Sequence, residues 1–498
     1  MAKQILRRYQ ADAVQELRQL IRDGYKRILL VAATGSGKTT VACYMINSAA
    51  KRGHQSIFLA HRKELIDQCS NRLDSEGVDH GIIKAGNKRL VPHLPVQVAS
   101  VLTLIRRDKP NAKIFIIDEA HRARAKSYMK VLESYPDSIV IGLTATPYRL
   151  DGKGLGDIFQ TIAQVSSVAE LTQLGFLVPA RVFTTPMMPS MAKVHKKRGD
   201  YDTKETSDLV DKQSIIGDIC AHWKKHAAGR CTICFAVTRV HARHIQDAFI
   251  ANGISAGYVD GSMAERVREE ELAKLGAGHY TVMCNVGILT EGYDLPKVSC
   301  IILARPTAST ALYLQMAGRG LRIWKDKTDC IILDHGGNTR VHGFVEDDRV
   351  YDLEGLKKAD SKTEKTVKIK TCESCFNIYK GTVCPECGHI NKSRNNEIKE
   401  GEGELVELKF SETFTEQKEY FYRCLMEQNK NGYKESYAAV RYKERYGRWP
   451  GKMLGVSPRW RRDPLTKKSK INGFDNSEAL RSAEQWVKRQ LMKEVMCA

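Results

Sequence analysis

The stretch Arg27-Ile28-Leu29-Leu30-Val31-Ala32-Ala33-Thr34-Gly35-Ser36-Gly37-Lys38-Thr39 decides how the rest of the chain is read. Its aliphatic run has no polar alternation, which is the pattern of a strand buried on both faces. The run enters a glycine-bearing turn, and an apolar helical pattern follows through Ala49. The glycines let the backbone curl so that several N–H groups face one anion, and the helix N-terminus adds its partial positive charge. Lys38 is placed to reach the β- and γ-phosphates of a nucleotide, and the Thr39 hydroxyl to ligate Mg²⁺. The spacing therefore predicts a phosphate loop, with Thr34, Gly35, Ser36, Gly37, Lys38, Thr39 and Thr40 as nucleotide-binding residues. Ala32 stands where the pattern usually begins with glycine, and the turn glycines remain.

Similar runs recur on either side of this loop. From about Gln4 to Phe183, strands are expected at 27–32, 56–60, 96–100, 114–117 and 138–143, separated by amphipathic helical patterns. From about Ser214 to Asp352 they are expected at 231–236, 281–284, 298–303 and 329–333. Two tandem parallel-sheet α/β domains follow from this alternation. The chain of 498 residues is too long for one core, which fits. The expected boundaries are a first domain at 1–185, a polar linker at 186–212, a second domain at 213–352, a basic linker at 353–370, a cysteine module at 371–390 and a basic, mostly helical C-terminal region at 391–498.

The strand Ile114-Phe115-Ile116-Ile117 delivers Asp118-Glu119-Ala120-His121 at its C-terminal end, the side of an open α/β sheet that faces the ligand crevice. Asp118 is placed to hold Mg²⁺ and Glu119 to polarise an attacking water. Two adjacent carboxylates repel unless a cation lies between them, so the pair is hard to explain as structure alone. Far along the chain, Arg319 and Arg322 lie three apart, as if on one helix face. An arginine supplied across a cleft stabilises the charge that develops in phosphoryl transfer.

In motif content and order, these residues resemble superfamily 2 helicases of the DEAH type. Leu6-Arg7-Arg8-Tyr9-Gln10 is similar to that family's adenine-side element, which implies that Gln10 reads the base edge. Ala60-His61-Arg62-Lys63-Glu64-Leu65 resembles its strand-contacting motif. Thr144-Ala145-Thr146-Pro147 resembles the motif that couples hydrolysis to domain movement. Asn285-Val286-Gly287-Ile288-Leu289-Thr290-Glu291-Gly292-Tyr293-Asp294 and Gln315-Met316-Ala317-Gly318-Arg319-Gly320-Leu321-Arg322 are similar to the fifth and sixth motifs. The resemblance covers about Leu6 to Asn338. It implies two RecA-like domains, ATP and Mg²⁺ as cofactors, Asp294 at the nucleotide, Arg322 as the arginine finger with Arg319 beside it, and Gln315 ordering the site. Met316 stands where many relatives carry arginine. Ala304-Arg305-Pro306-Thr307 and Lys327 through Asn338 bring the likeness closer to RadD-like bacterial and phage helicases of DNA repair and recombination. The tail departs from them in length and content.

The formal net charge is +21, which points to nucleic acid as the partner. No run of about 18 uninterrupted apolar residues is present, so no membrane span is expected. The first residues, Met1-Ala2-Lys3-Gln4-Ile5-Leu6-Arg7-Arg8, have no apolar run of the signal-peptide kind, and the expected location is the bacterial cytoplasm, or the host cytoplasm for a phage-borne chain.

Cys372-x-x-Cys375 and Cys384-x-x-Cys387 have the spacing of a four-thiolate structural Zn²⁺ site. Cys231 and Cys234 share the spacing but fall in an expected strand, where residues three apart point to opposite faces, and read as buried thiols. From Arg441 to Lys470 there are eleven Lys or Arg against Glu444 and Asp463, interleaved with Tyr442, Tyr446, Trp449 and Trp460. Such a segment either binds nucleic acid, by phosphate neutralisation and base stacking, or forms a small helical core with solvated charges.

The expected function is an ATP-dependent DNA helicase or translocase acting on single-stranded, forked or branched DNA in repair, recombination or replication. A single-strand-binding protein or a recombinase is its candidate protein partner. Two alternatives stand beside it: a duplex DNA translocase that does not unwind, and an ATP-switched nucleic-acid-binding accessory factor of recombination.

Overall fold

The computed structural model describes residues 6–148, 152–164, 166–184, 191, 194–197, 199–347, 349, 351–355, 369–371, 378–380, 406–407, 414–431, 433, 437–446, 457–462 and 469–475. The chain divides into two compact units, Met1–Ile378 with Glu386–Leu408, and Tyr379–Pro385 with Lys409–Ala498.

The first unit begins with α1 (Arg8–Arg22), β1 (Arg27–Val31), α2 (Lys38–Ala50), β2 (Ser56–Ala60), α3 (Lys63–Ser75), β3 (Gly81–Ile83), β4 (Val96–Ser100), α4 (Val101–Leu104), β5 (Ile114–Ile117), α5 (Lys126–Glu133), β6 (Ile139–Thr144) and β7 (Thr161–Gln164). Its seven strands form a sheet in the order β3-β4-β2-β5-β6-β1-β7, with every pairing parallel. Helices cover both faces, so β1 places Ile28, Leu29 and Leu30 wholly out of water. Each of those side chains contributes about 2 kcal/mol by burial.

The second sheet follows α6 (Val168–Gln173). It uses β8 (Ala180–Thr184), then the hairpin β9 (Lys196–Lys197) and β10 (Asp200–Tyr201), α7 (Thr203–Val210), α8 (Gln213–Ala227), β11 (Thr232–Phe235), α9 (Arg239–Ala251), β12 (Ala256–Asp260), α10 (Glu265–Ala277), β13 (Val282–Val286), β14 (Cys300–Leu303), α11 (Thr310–Gly318), β15 (Cys330–Asp334) and α12 (Asn338–His342). The order is β12-β13-β11-β14-β15-β8, parallel throughout, with Val406–Glu407 antiparallel on β8.

Three sequence expectations are changed here. Residues 180–184, placed at the end of the first domain, form β8 of the second sheet, where Thr184 Oγ1 donates to Asp334 O at 3.0 Å. The stretch read as a polar linker contains strands at Lys196–Lys197 and Asp200–Tyr201 and a helix at Thr203–Val210. Asp202 caps α7, and the Asp200 carboxylate accepts from Arg305 Nη2, Thr307 Oγ1 and Ala308 N at 2.7–2.8 Å. Arg319 and Arg322 do not share a helix face. α11 ends at Gly318, Arg319 is its C-cap, and Arg322 lies in an extended bridge to Leu177. Glycines on both sides of Arg319 disfavour helix there.

In the second unit, the helices Phe414–Asn431 and Tyr437–Tyr446 pack through Phe421, Leu425 and Tyr442, with the Phe421 and Tyr442 rings edge-on at 5.5 Å. Tyr442 therefore belongs to the core. The region expected to be mostly helical also holds an antiparallel hairpin, Ser457–Arg462 with Ser469–Asp475. Pro458 and Pro464 are incompatible with a helix interior at that point. Cys372, Cys375, Cys384 and Cys387 lie outside the described residues, as do Trp449 and the side chains of Tyr446 and Trp460. No helix among the described residues is long and apolar enough to cross a membrane.

Candidate active site between the two sheets

The loop between β1 and α2 carries the first part of the site. Gly37 caps α2 at φ +82°, and a Cβ there would stand 2.5 Å from Gln10 Nε2, so both conformation and space require glycine. Tyr9 Oη and Gln10 Nε2 both donate to Ser36 O, at 2.8 and 3.1 Å. Gln10, 4% exposed, thus holds the loop backbone with its amide nitrogen, while its Oε1 accepts from Arg7 N at 3.1 Å. In the sequence Tyr9 stands inside the Leu6–Gln10 motif with no role of its own. Lys38 Nζ donates to Ala32 O and Ala33 O, at 3.1 and 3.3 Å, and Thr39 and Thr40 are half-buried in the first turn of α2.

β5 delivers the second part. Asp118 and Glu119 are both buried, and Glu119 is held in the left-handed region at φ +51°, a conformation of measurable strain for a side-chain-bearing residue. Burial, and then the neighbouring Glu119 charge, pushes the Asp118 carboxyl up to about 7. Burial also pushes Glu119 up, but the facing His121 and the charges of His121 and Lys38 outweigh it, so its net displacement is downward. Burial pushes the Lys38 ammonium below its ordinary range against the pull of Glu119 and Asp118, and Arg319 and Arg322 add to the fall. Two adjacent buried carboxylates are a donor set that suits a divalent cation. A cation held by Asp118 and Thr39 would relieve the repulsion that lifts Asp118. Ser36 Oγ, Thr146 Oγ1 and Gln315 Nε2 are also buried without a hydrogen-bond partner among the described residues.

The second sheet supplies the rest. Gly318 sits so close to the loop that a Cβ on it would stand 2.6 Å from Thr34 Cβ. Arg319 donates to Thr290 O through Nη2 at 2.7 Å and to Tyr293 O through Nη1 at 2.7 Å. Burial brings Arg319 down to about 10, with Arg322 contributing. Arg322 pairs with Asp294 at 2.8 Å and donates to Tyr293 O at 3.3 Å. Met316 is fully buried, which explains an apolar residue at that position.

One residue carries more than the sequence indicated. Glu291, on the loop after β13, receives four side chains from the other domain: His61 at 3.1 Å, Arg62 at 3.4 Å, His121 at 3.4 Å and Arg122 at 3.2 Å. Around it, Arg62 Nη1 donates to Ile288 O, Gln68 Nε2 donates to Gly292 O, and Lys63 and Arg268 reach Glu265, Glu269 and Glu64 across the same cleft. In the sequence Glu291 is visible only as one letter of the Asn285–Asp294 motif. Of the Cys231 and Cys234 pair, Cys234 is buried in β11 while Cys231 just before it is half-buried.

Residues 3–149 match the family model described as type III restriction enzyme, res subunit, and residues 211–323 match the helicase conserved C-terminal domain. A 51.5 kDa protein of a Lactococcus phage (isolate 7-9) is 31% identical over 387 residues, covering 76% of this chain and 82% of that protein. The Saccharomyces cerevisiae protein IRC3, named as a candidate ATP-dependent helicase, is 32% identical over 359 residues. That alignment covers 68% of this chain and 52% of IRC3, so the chain spans about half of the yeast protein's length. A fragment of a candidate HsdR subunit of a type I restriction enzyme from Vibrio vulnificus YJ016 has the same fold, with a TM-score of 0.54 at 22% identity over 69% of this chain and 68% of that one.

Proposed function

We propose a DNA translocase activity for this chain, which belongs to the superfamily 2 helicases and is an ATP-hydrolysing enzyme. One observation carries the mechanism. Arg322 of the second domain packs on the loop of the first, its Cγ 3.3 Å from the point that a Cβ on Gly35 would occupy, and Gly318, next to Arg319, comes so near that a Cβ on it would stand 2.6 Å from Thr34 Cβ. The site is complete only when the two sheets meet.

In this reading, the backbone of Gly35, Ser36 and Gly37 and the Lys38 ammonium bind the β- and γ-phosphates. Thr39 and Asp118 would hold Mg²⁺, which would neutralise phosphate charge. Glu119 accepts a proton from water as the water oxygen bonds to the γ-phosphorus and the bond to the β-phosphate oxygen breaks, leaving ADP and phosphate. Arg322, with Arg319 beside it and Gln315 ordering the pocket, stabilises the charge spread over the transferring group. Gln10 and Tyr9 fix the loop from behind, and Asp294 orients Arg322. Product release reopens the cleft, and the cycle of closure and opening moves the chain along its track.

DNA is the track favoured by the +21 charge and by the restriction-enzyme description of the matching family model. The His61-Arg62-Lys63 segment is the candidate strand contact on the first domain. Strand separation at forks, service in repair or recombination as in the RadD-like branch, and a Zn²⁺-bound module of Cys372, Cys375, Cys384 and Cys387 complete the proposal. Motion on duplex DNA without unwinding is the second reading, and the restriction-type first domain favours it. A fork-unwinding assay beside a triplex-displacement assay separates the two. Displacement of the third strand with an intact fork supports the second reading.

A further inference from the structure

We infer that Glu291 is the positioning residue by which closure of the second domain orients the Glu119 base, acting through His121. The geometry is a chain of three side chains across the cleft. His121 Nδ1 lies 3.3 Å from Glu119 Oε2, and His121 Nε2 lies 3.4 Å from Glu291 Oε1. All three are buried, with 6%, 7% and 4% of their surface exposed. Both are contacts of ion-pair range, and neither Glu119 Oε2 nor His121 Nδ1 has a hydrogen-bond partner among the described residues, so the pull between the ring and its two flanking carboxylates is what couples Glu291 to Glu119.

The need for such a device follows from the backbone. Glu119 leaves β5 with a positive φ, at the start of a short turn over Ala120–Arg122, and has no helix of its own to hold its side chain. Its backbone N–H is taken by Asp118 Oδ1 at 3.0 Å, which fixes the main chain but leaves the carboxylate free to swing. His121 is the neighbour that restrains it, and what restrains His121 on its other side comes from the opposite domain.

The other partners of Glu291 give the device a second input. His61 and Arg62 stand at the end of β2, in the segment proposed to touch the DNA strand, and they share the same carboxylate. Arg62 also reads the loop backbone through Ile288 O and Glu291 O, at 2.9 and 3.4 Å. One carboxylate is therefore held jointly by the strand-side segment and by the segment of the base. A strand that shifts His61 and Arg62 shifts Glu291, and with it the ring behind Glu119. This inference rests on the proposed hydrolytic role of Glu119.

The test is a double-mutant cycle on ATP turnover by the full chain, with Glu291→Gln, His121→Gln and the pair, each checked for unchanged thermal melting. Glu291→Gln is nearly isosteric, and Glu291→Asp keeps the charge while shortening the reach. The expected result is a fall in kcat of at least about tenfold for Glu291→Gln, the ATP KM staying within about threefold, and a double variant no slower than the slower single one. Glu291→Asp falls between wild type and Glu291→Gln. Additive losses, or a change confined to KM or to melting, would overturn the inference and leave Glu291 as an interdomain tether. Lys38→Ala, run in parallel, reports separately on the hydrolytic site. If it retains turnover, the site assignment itself is wrong whatever Glu291 does.

Discussion

Arg322, carried by the second domain, packs on Gly35 of the phosphate loop: its Cγ stands 3.3 Å from the point that a Cβ on Gly35 would occupy. Its guanidinium, held by Asp294 at 2.8 Å and by Tyr293 O at 3.3 Å, is thereby kept beside the loop. Arg322→Ala is expected to lower the ATP turnover number by roughly 10³-fold while ATP affinity changes by only a few-fold, because a finger acts mainly in the transition state. Phosphate release at saturating ATP, beside fluorescent-nucleotide binding, measures both. Equal losses in turnover and affinity would place Arg322 outside the finger role.

Gly318 offers a test of closure that spares the fold. It is the last residue of α11, and a methyl there would meet Thr34 Cβ at 2.6 Å. Within the helix, Gly318→Ala is favourable by up to about 1 kcal/mol. The melting temperature should therefore hold while turnover falls at least about tenfold, since the added methyl keeps the second domain from the approach to Thr34 seen here. A variant of normal turnover would mean that the site works without this approach.

Acid sensitivity has a definite source in the second domain. Burial holds His335 down at about 3, with the neighbouring His222 adding to the fall, and burial holds His241 down at about 4. Both pKa values are depressed from about 6.5, so their stabilising contribution is fully present above pH 6.5 and drains as pH falls toward 3. Each group alone removes ~2 kcal/mol by pH 5. Melting curves recorded from pH 7.5 to 5 should fall more steeply for the wild type than for His335→Asn. Parallel slopes would show that the ring is not buried neutral.

Metal content tests the cysteine module. One Zn²⁺ per chain is expected by elemental analysis, falling below about one fifth in Cys384→Ser with Cys387→Ser, because two thiolates do not hold a tetrahedral structural zinc. A metal-free wild type purified without chelator would contradict the four-thiolate reading.

The local parts of the site were legible because they are contiguous. Gly35 to Thr39 and Asp118 with Glu119 each sit at the end of a strand whose apolar run announces it. What could not be read is what the topology assembles. β8 carries no mark of which sheet it joins, and only its register against β15 assigns it to the second. β3 is three residues long, too short for a pattern. β12 begins Ala256-Gly257, which weakens the strand signal. The spacing of Arg319 and Arg322 suggests one helix face, but glycines on both sides of Arg319 end the helix at Gly318. Glu291 was visible only as one letter of a motif. Its four partners stand 169 to 230 positions away in sequence for those bonded directly to its carboxylate, His61 and Arg122 among them. No window of sequence contains that cluster.

In the proposed cycle, ATP hydrolysis requires the two domains to close, and DNA drives the closure. The most direct measurement is steady-state phosphate release by the wild type and by Lys38→Ala, each with no nucleic acid, with single-stranded DNA, with forked DNA and with RNA. The expected result is wild-type stimulation of at least about tenfold by one of the DNAs, weaker stimulation by RNA, and no release above background from Lys38→Ala under any condition. A wild-type rate indifferent to every nucleic acid, or an active Lys38→Ala, would contradict it.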